Sequence, residues 1–209
     1  VKERLCWMKL VIHVFQDHYT ENMYALVYLK NIDAEKRREL AAETAAKSDP
    51  LTRVYNRSSF EEEVSDFMTT GEDSARGALL ILDLDDFKQV NDRFGHLKGD
   101  EVLKSLAEVL RHTFRSHDLI GRLGGDEFLV FVKGIENKEI LDRRMDQLFS
   151  RLNDSCGDFL SCSAGICFVS GEGFDYQKAL KCADTALYES KKKGKRRYSY
   201  YEKMEDMKV

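Results

Sequence analysis

The sequence predicts a mixed α/β fold of the α+β kind, in which helices cover a sheet that contains an internal hairpin, rather than a simple parallel doubly wound sheet. Three observations predict it. Apolar residues recur at helical spacing in four separate segments, apolar runs suited to strands lie between them, and Gly124-Gly125 joins two of those runs through a tight turn. The chain has 209 residues, 43% hydrophobic and 33% charged, enough for one well-cored domain with an appendage. Its formal charge of -4 argues against a nucleic-acid-binding surface as its main business.

In chain order, the first 33 residues read as two strands, about Leu5 to Phe15 and Met23 to Leu29, around the polar stretch Gln16 to Asn22. A two-stranded hairpin alone is marginal in water, so this one is expected to belong to something larger. Ala34 to Lys47 is rich in strong helix formers, with Asp33 as the candidate N-cap. Its thin apolar face suits either a connecting helix that pairs with its twin in a dimer or a solvated linker. Pro50, the only proline, disfavours helix at Asp49 and marks the entry to the main domain.

Beyond that break, helical spacing is carried by Phe60, Val64 and Met68, by Val102, Leu106 and Leu110, by Leu141, Met145 and Leu148, and by Ala179, Ala183 and Leu187. Strand candidates are Ala78 to Leu84, His117 to Leu123, Glu127 to Lys133, Phe159 to Val169, and a short one near Tyr198 to Tyr201. The five cysteines are odd in number and lack zinc-type spacing, so buried free thiols and a reducing cytosol are expected. No apolar run approaches the roughly 20 residues that span a bilayer, and the start lacks signal-peptide features. The segment is therefore expected to be cytoplasmic and without membrane contact, whatever anchors a longer parent protein.

Two acidic clusters carry the chemistry. Leu79 to Leu82 is a continuous apolar run, as in a strand buried on both faces, and it leads straight into Asp83-Leu84-Asp85-Asp86. The Gly124-Gly125 turn ends in Asp126-Glu127, two carboxylates between apolar strands, which is unfavourable unless a cation neutralises them. On those four residues alone, a polar hairpin turn explains as much. If the turn lies beside the strand end, Asp83, Asp126 and Glu127 converge, and hard oxygen ligands in that number suit magnesium. Asp86-Phe87-Lys88 is expected to open a helix, where backbone N–H groups face anions. The Lys191 to Arg197 run closes the last helix, where the helix dipole favours cations in any case.

Gly124-Gly125-Asp126-Glu127-Phe128, with Asp83 to Asp92 and Gly95 to Asp100, resembles the GGDEF family of diguanylate cyclases. Asp49 to Arg57 resembles that family's entry motif, and Ala186-Leu187-Tyr188 followed by Lys191 and Gly194 its closing one. The resemblance implies a palm-like βααββαβ sheet over about residues 49–205, preceded by a linker helix at 34–48. Residues 1–33 resemble the end of a PAS sensory domain, with an unrelated hairpin or dimerisation arm as the other reading.

The family implies that two GTP molecules, one per subunit of a homodimer, become cyclic di-GMP and two pyrophosphates, with two magnesium or manganese ions per site. By motif position, Asp83, the Leu84 carbonyl, Asp126 and Glu127 would hold metal, and Asp126 would also accept the 3′-OH proton. Phe87, Lys88, Lys191 and Lys195 would hold phosphate, and Asn91 and Asp100 would read guanine. Without the motif, Asp100 reads as a helix N-cap. Lys195 stands where the family has arginine, keeping the charge without the bidentate fork. Arg53 and Val54 replace the family's glycine and leucine, and Arg196 stands where it often has asparagine.

Arg115-Ser116-His117-Asp118 begins nine residues before Gly124, the offset of the family's RxxD inhibitory site. There Arg115 would grip product phosphate or guanine and Asp118 the guanine edge; a surface salt bridge is the plainer reading. The competing function is a GGDEF-like module that binds cyclic di-GMP or GTP as a receptor without turnover.

Overall fold

A computed structural model of the chain describes residues 6–16, 19, 21–70, 76–135, 137–156, 161–171 and 173–202. The chain divides into two units, Val1–Ala46 and Lys47–Val209. Three of the expected boundaries, Leu5, Phe159 and residue 205, lie outside the described residues.

In the first unit, β1 (Met8–Gln16) and β2 (Met23–Asn31) form an antiparallel hairpin in register from Met8↔Asn31 to Gln16↔Met23. Side-chain alternation puts Met8, Leu10, Ile12 and Val14 on one face with Leu29, Val27 and Ala25, and every one of them is exposed. Helix α1 (Asp33–Lys47) follows with no buried residue. Asp33 is its first residue and not its cap: the Asn31 side chain accepts from the Asp33 N–H at 2.9 Å, while Asp33 pairs with Arg37 one turn on.

The second unit contains α2 (Arg57–Thr70), β3 (Arg76–Leu84), α3 (Phe87–Phe94), α4 (His96–Thr113), β4 (Leu119–Gly124), β5 (Glu127–Lys133), α5 (Lys138–Cys156), β6 (Cys162–Ser170), α6 (Tyr176–Lys192) and β7 (Tyr198–Tyr200). From β3 to β6 the order is the expected βααββαβ. The sheet runs β4-β5-β3-β6-β7, antiparallel except for the β6–β7 pair.

Strand β3 is central because both its faces are apolar. Ala78, Leu80 and Leu82 pack with Leu106 and Leu110 of α4 and Leu141 and Met145 of α5, whereas Leu79 and Ile81 pack with Phe60 and Val64 of α2 and Ala183 and Leu187 of α6. Burying each such side chain stabilises by about 1.5–3 kcal/mol. Helix α6 lies close on β6, since a Cβ at Gly165 would collide with the Ala183 carbonyl and the Leu187 amide. That contact carries Lys191 to the end of β3. Cys162 and Cys167 are buried free thiols, and among the described residues no helix is long and apolar enough to cross a membrane.

Candidate active site

The sheet register brings the two acidic clusters together. Asp83 lies directly opposite Glu127 in the β3–β5 ladder, and the Leu84 N–H points at the Asp126 carbonyl at 3.4 Å. Like charges paired directly across a ladder are unfavourable. Burial, then the neighbouring Asp126 and Asp85 charges, push the Asp83 carboxyl above its ordinary range, against the pull of Lys191. Burial and the charges of Asp83 and Asp126 push Glu127 up as well. Lys191 Nζ sits 2.8 Å from Asp83 Oδ1, so an ammonium partly offsets the crowding.

This donor set fits magnesium or manganese. Asp83, Asp126, Glu127 and the Leu84 carbonyl offer hard oxygens where β3 ends and β5 begins. Among the described residues no group of three acidic, histidine or cysteine side chains is already arranged to hold an ion.

Beside the carboxylates, α3 begins at Phe87, as expected. Its cap residue Asp86 has left-handed backbone (φ 59°) and gives no side-chain cap bond, so the Phe87 and Lys88 amides open the helix without one. Lys195 Nζ reaches Asp86 Oδ1 at 2.7 Å from the turn after α6, which sets a second cation at this edge. Glu127 and Lys191 also line a pocket of about 300 Å³ with Asp184, Thr185 and Tyr188.

Asn91 of α3 and Asp100 of α4 are both half-buried, and Asn91 lies against Gly99, the residue before Asp100, where the two helices pack. Asp100 is the fifth residue of α4, which corrects the N-cap reading. Gly99 leaves room for the Asn91 side chain, because a Cβ there would overlap Asn91 Oδ1 and press on Phe87.

Arg115 and Asp118 fall together, but in different roles. Asp118 is buried, and its oxygens accept from the amides of Arg115 (2.9 Å) and Lys133 (3.1 Å) and from Arg144 Nη1 (2.9 Å). In this structure Asp118 braces the loop through these three bonds. Arg115, Lys133 and Arg144 line a pocket of about 240 Å³.

Sequence reasoning missed three residues. Arg122 grips the glycine turn, Gly99 admits Asn91, and Asp85 is buried among hydroxyls. Gly99 alone left a signal, as a glycine inside a helix that loses about 1 kcal/mol relative to alanine.

A family model described as diguanylate cyclase, GGDEF domain, matches residues 46–197. The probable diguanylate cyclase DgcC of Escherichia coli (strain K12) is 35% identical over 169 residues, 78% of this chain and 45% of that protein. The diguanylate cyclase DgcP of Pseudomonas aeruginosa is 37% identical over 159 residues, 73% of this chain and 23% of that protein. The chain thus spans less than half the length of these curated relatives. The crystal structure of the GGDEF domain of DgcB from Caulobacter crescentus, in complex with c-di-GMP, superposes with a TM-score of 0.67 at 26% identity, covering 75% of this chain and 96% of that one. With the glycine turn, the opposed carboxylates and the crossing at Gly99 in place, the chain belongs to the GGDEF family of diguanylate cyclase domains.

Proposed function

We propose that this chain condenses two GTP molecules into cyclic di-GMP and two pyrophosphates, one nucleotide held by each subunit of a homodimer. The observation that carries the reading is the pairing of Asp83 with Glu127 across the ladder, beside Asp126 and the start of α3. Evolution tolerates such crowding where a cation and phosphates resolve it.

In this reading Asn91 and Asp100 bind the guanine edge, a carboxamide and a carboxylate together supplying the donor and acceptors it needs. The Phe87 and Lys88 amides, Lys191 and Lys195 bind the triphosphate. Lys191 leaves Asp83 for phosphate as nucleotide arrives. Asp83, the Leu84 carbonyl, Asp126 and Glu127 would hold two divalent ions, which would supply electrostatic stabilisation of the charge that develops during transfer. Each 3′-oxygen forms a bond to the other nucleotide's α-phosphorus, the bond from that phosphorus to the β-phosphate bridge breaks, and Asp126 accepts the 3′-proton. One site cannot close the ring, so turnover falls steeply on dilution. Product held at Arg115 is the brake. The exposed apolar hairpin faces support the reading that residues 1–33 end a larger PAS-like sheet.

The test is incubation with GTP and magnesium, with products separated chromatographically. Parent protein is expected to give cyclic di-GMP and Asp126→Asn none. Binding of GTP or cyclic di-GMP without product would favour the receptor reading instead.

A further inference from the structure

We infer that Asp85, an interior member of the acidic run, is a positioning residue that sets the spacing between the α3 phosphate-binding end and Lys195; this rests on the nucleotide site proposed above. Asp85 is 5% exposed and cannot reach solvent ligands. Its carboxylate instead gathers three donors from two separate segments. Ser163 Oγ donates to Oδ1 at 2.7 Å, Ser161 Oγ to Oδ2 at 2.8 Å, and the Arg196 amide to Oδ2 at 3.2 Å. Its own amide donates to the Ser161 carbonyl at 2.8 Å.

The Arg196 bond is the informative one. Lys195 and Arg196 both have left-handed backbone, φ 61° and 52°, a conformation that costs a non-glycine residue energy and needs external support. Asp85 supplies that support, and the resulting turn aims Lys195 at Asp86. The same carboxylate belongs to the residue linking the Leu84 carbonyl to Asp86, whose own left-handed backbone (φ 59°) starts α3. One buried group therefore fixes the distance between the amides that open α3 and the lysine across from them. A hydrophobic residue would leave the Arg196 amide and two hydroxyls without this acceptor.

The experiment measures calorimetric binding of guanosine 5′-(α,β-methylene)triphosphate with magnesium to the full chain, alongside amide hydrogen exchange. Asp85→Asn is expected to weaken binding about tenfold and to accelerate exchange at Arg196. Lys195→Ala is expected to weaken binding similarly, and the double variant no further than the worse single, because the two act as a unit. Ser161→Ala, at a half-buried site, should lose affinity in the same direction, and Ser161→Thr should restore it. Parent-like affinity in Asp85→Asn with only a lower melting temperature would reduce Asp85 to a structural role and overturn the inference. So would full additivity with Lys195→Ala. If Asp85→Asn does not fold, parent-like affinity in Ser161→Ala overturns it equally. Failure of the parent itself to bind the analogue would sink the nucleotide reading, and the positional claim would then stand or fall on Arg196 exchange.

Discussion

Arg122 and Asp49 hold the glycine turn between them. Arg122 donates to the Gly125 carbonyl at 2.6 Å from Nη2 and 3.0 Å from Nε, while its Nη1 lies 3.2 Å from Asp49 Oδ1. Asp49 also accepts from the Thr52 amide and hydroxyl at 2.8 and 2.6 Å. Burial alone would raise the Asp49 carboxyl, but the Thr52 bonds and Arg122 outweigh it and hold it below its usual range. The segment entering the domain is thereby tied to the turn that carries Asp126.

Arg122→Ala should consequently loosen the turn and lower cyclase turnover by roughly tenfold or more, as expected for losing charged hydrogen bonds of about 1.5–3 kcal/mol each. Arg122→Lys should recover little of it, because an ammonium cannot serve Gly125 and Asp49 with one planar fork. Parent-like activity in Arg122→Lys would show that charge alone matters there.

Gly99→Ala tests the helix crossing. The added methyl meets Asn91 Oδ1, the far end of a flexible side chain, so Asn91 must move out of its place at little cost to stability. GTP affinity should fall at least fivefold while magnesium-dependent stabilisation of the protein persists. An unchanged KM for GTP would separate Asn91 from base reading.

Glu127→Gln tests the carboxylate crowding through pH. The raised Glu127 carboxyl means that the folded chain holds this proton more tightly than the unfolded chain. Its contribution to stability is therefore greatest at acid pH and is lost as pH rises from the ordinary carboxylate value to the raised one. Metal-free Glu127→Gln should be more stable than the parent near neutrality by roughly 0.2–1 kcal/mol, with the advantage gone by about pH 4. Urea titrations at both pH values, with a chelator, read this out. A variant less stable than parent near neutrality would contradict the crowding argument.

Much of this architecture was legible because it rests on short-range pattern. The continuous run Leu79 to Leu82 announced a strand buried on both faces, and Gly124-Gly125 a hairpin; the register that sets Asp83 opposite Glu127 came only with the structure. The partners of Arg122 and Asp85 were not legible, since Asp49 is 73 residues from Arg122 and Ser163 is 78 from Asp85. Backbone sign was hidden too. Arg53 and Arg196, which depart from the family's usual glycine and asparagine, both have left-handed φ, 59° and 52°, where those family residues are the favoured ones.

Arg53→Gly should accordingly stabilise the chain. The left-handed conformation costs arginine about 1–2 kcal/mol, part of which returns as greater unfolded-state freedom for glycine, leaving a gain of roughly 0.5–1 kcal/mol. Thermal melts check this directly. A lower melting temperature in Arg53→Gly would mean that the arginine side chain contributes more than its backbone costs.

Feedback by product is the last test, and the pocket beneath Arg115 sharpens it. Arg115 is exposed at the pocket that Lys133 and Arg144 also line, whereas Asp118 is covered and occupied by three donors. The two residues should thus separate experimentally. Arg115→Ala removes charge-assisted bonds to phosphate or guanine worth about 1.5–3 kcal/mol, so cyclic di-GMP binding should weaken roughly 10- to 150-fold with the melting temperature unchanged. Asp118→Ala instead orphans two amides and Arg144, and should lower the melting temperature along with affinity. The proposed brake couples distinct sites, and on that reading activity of Arg115→Ala at saturating GTP should persist at product levels that silence the parent. Inhibition of the parent that excess GTP fully relieves, or equal inhibition in the parent and Arg115→Ala, would place the product in the GTP site and remove Arg115 from its control.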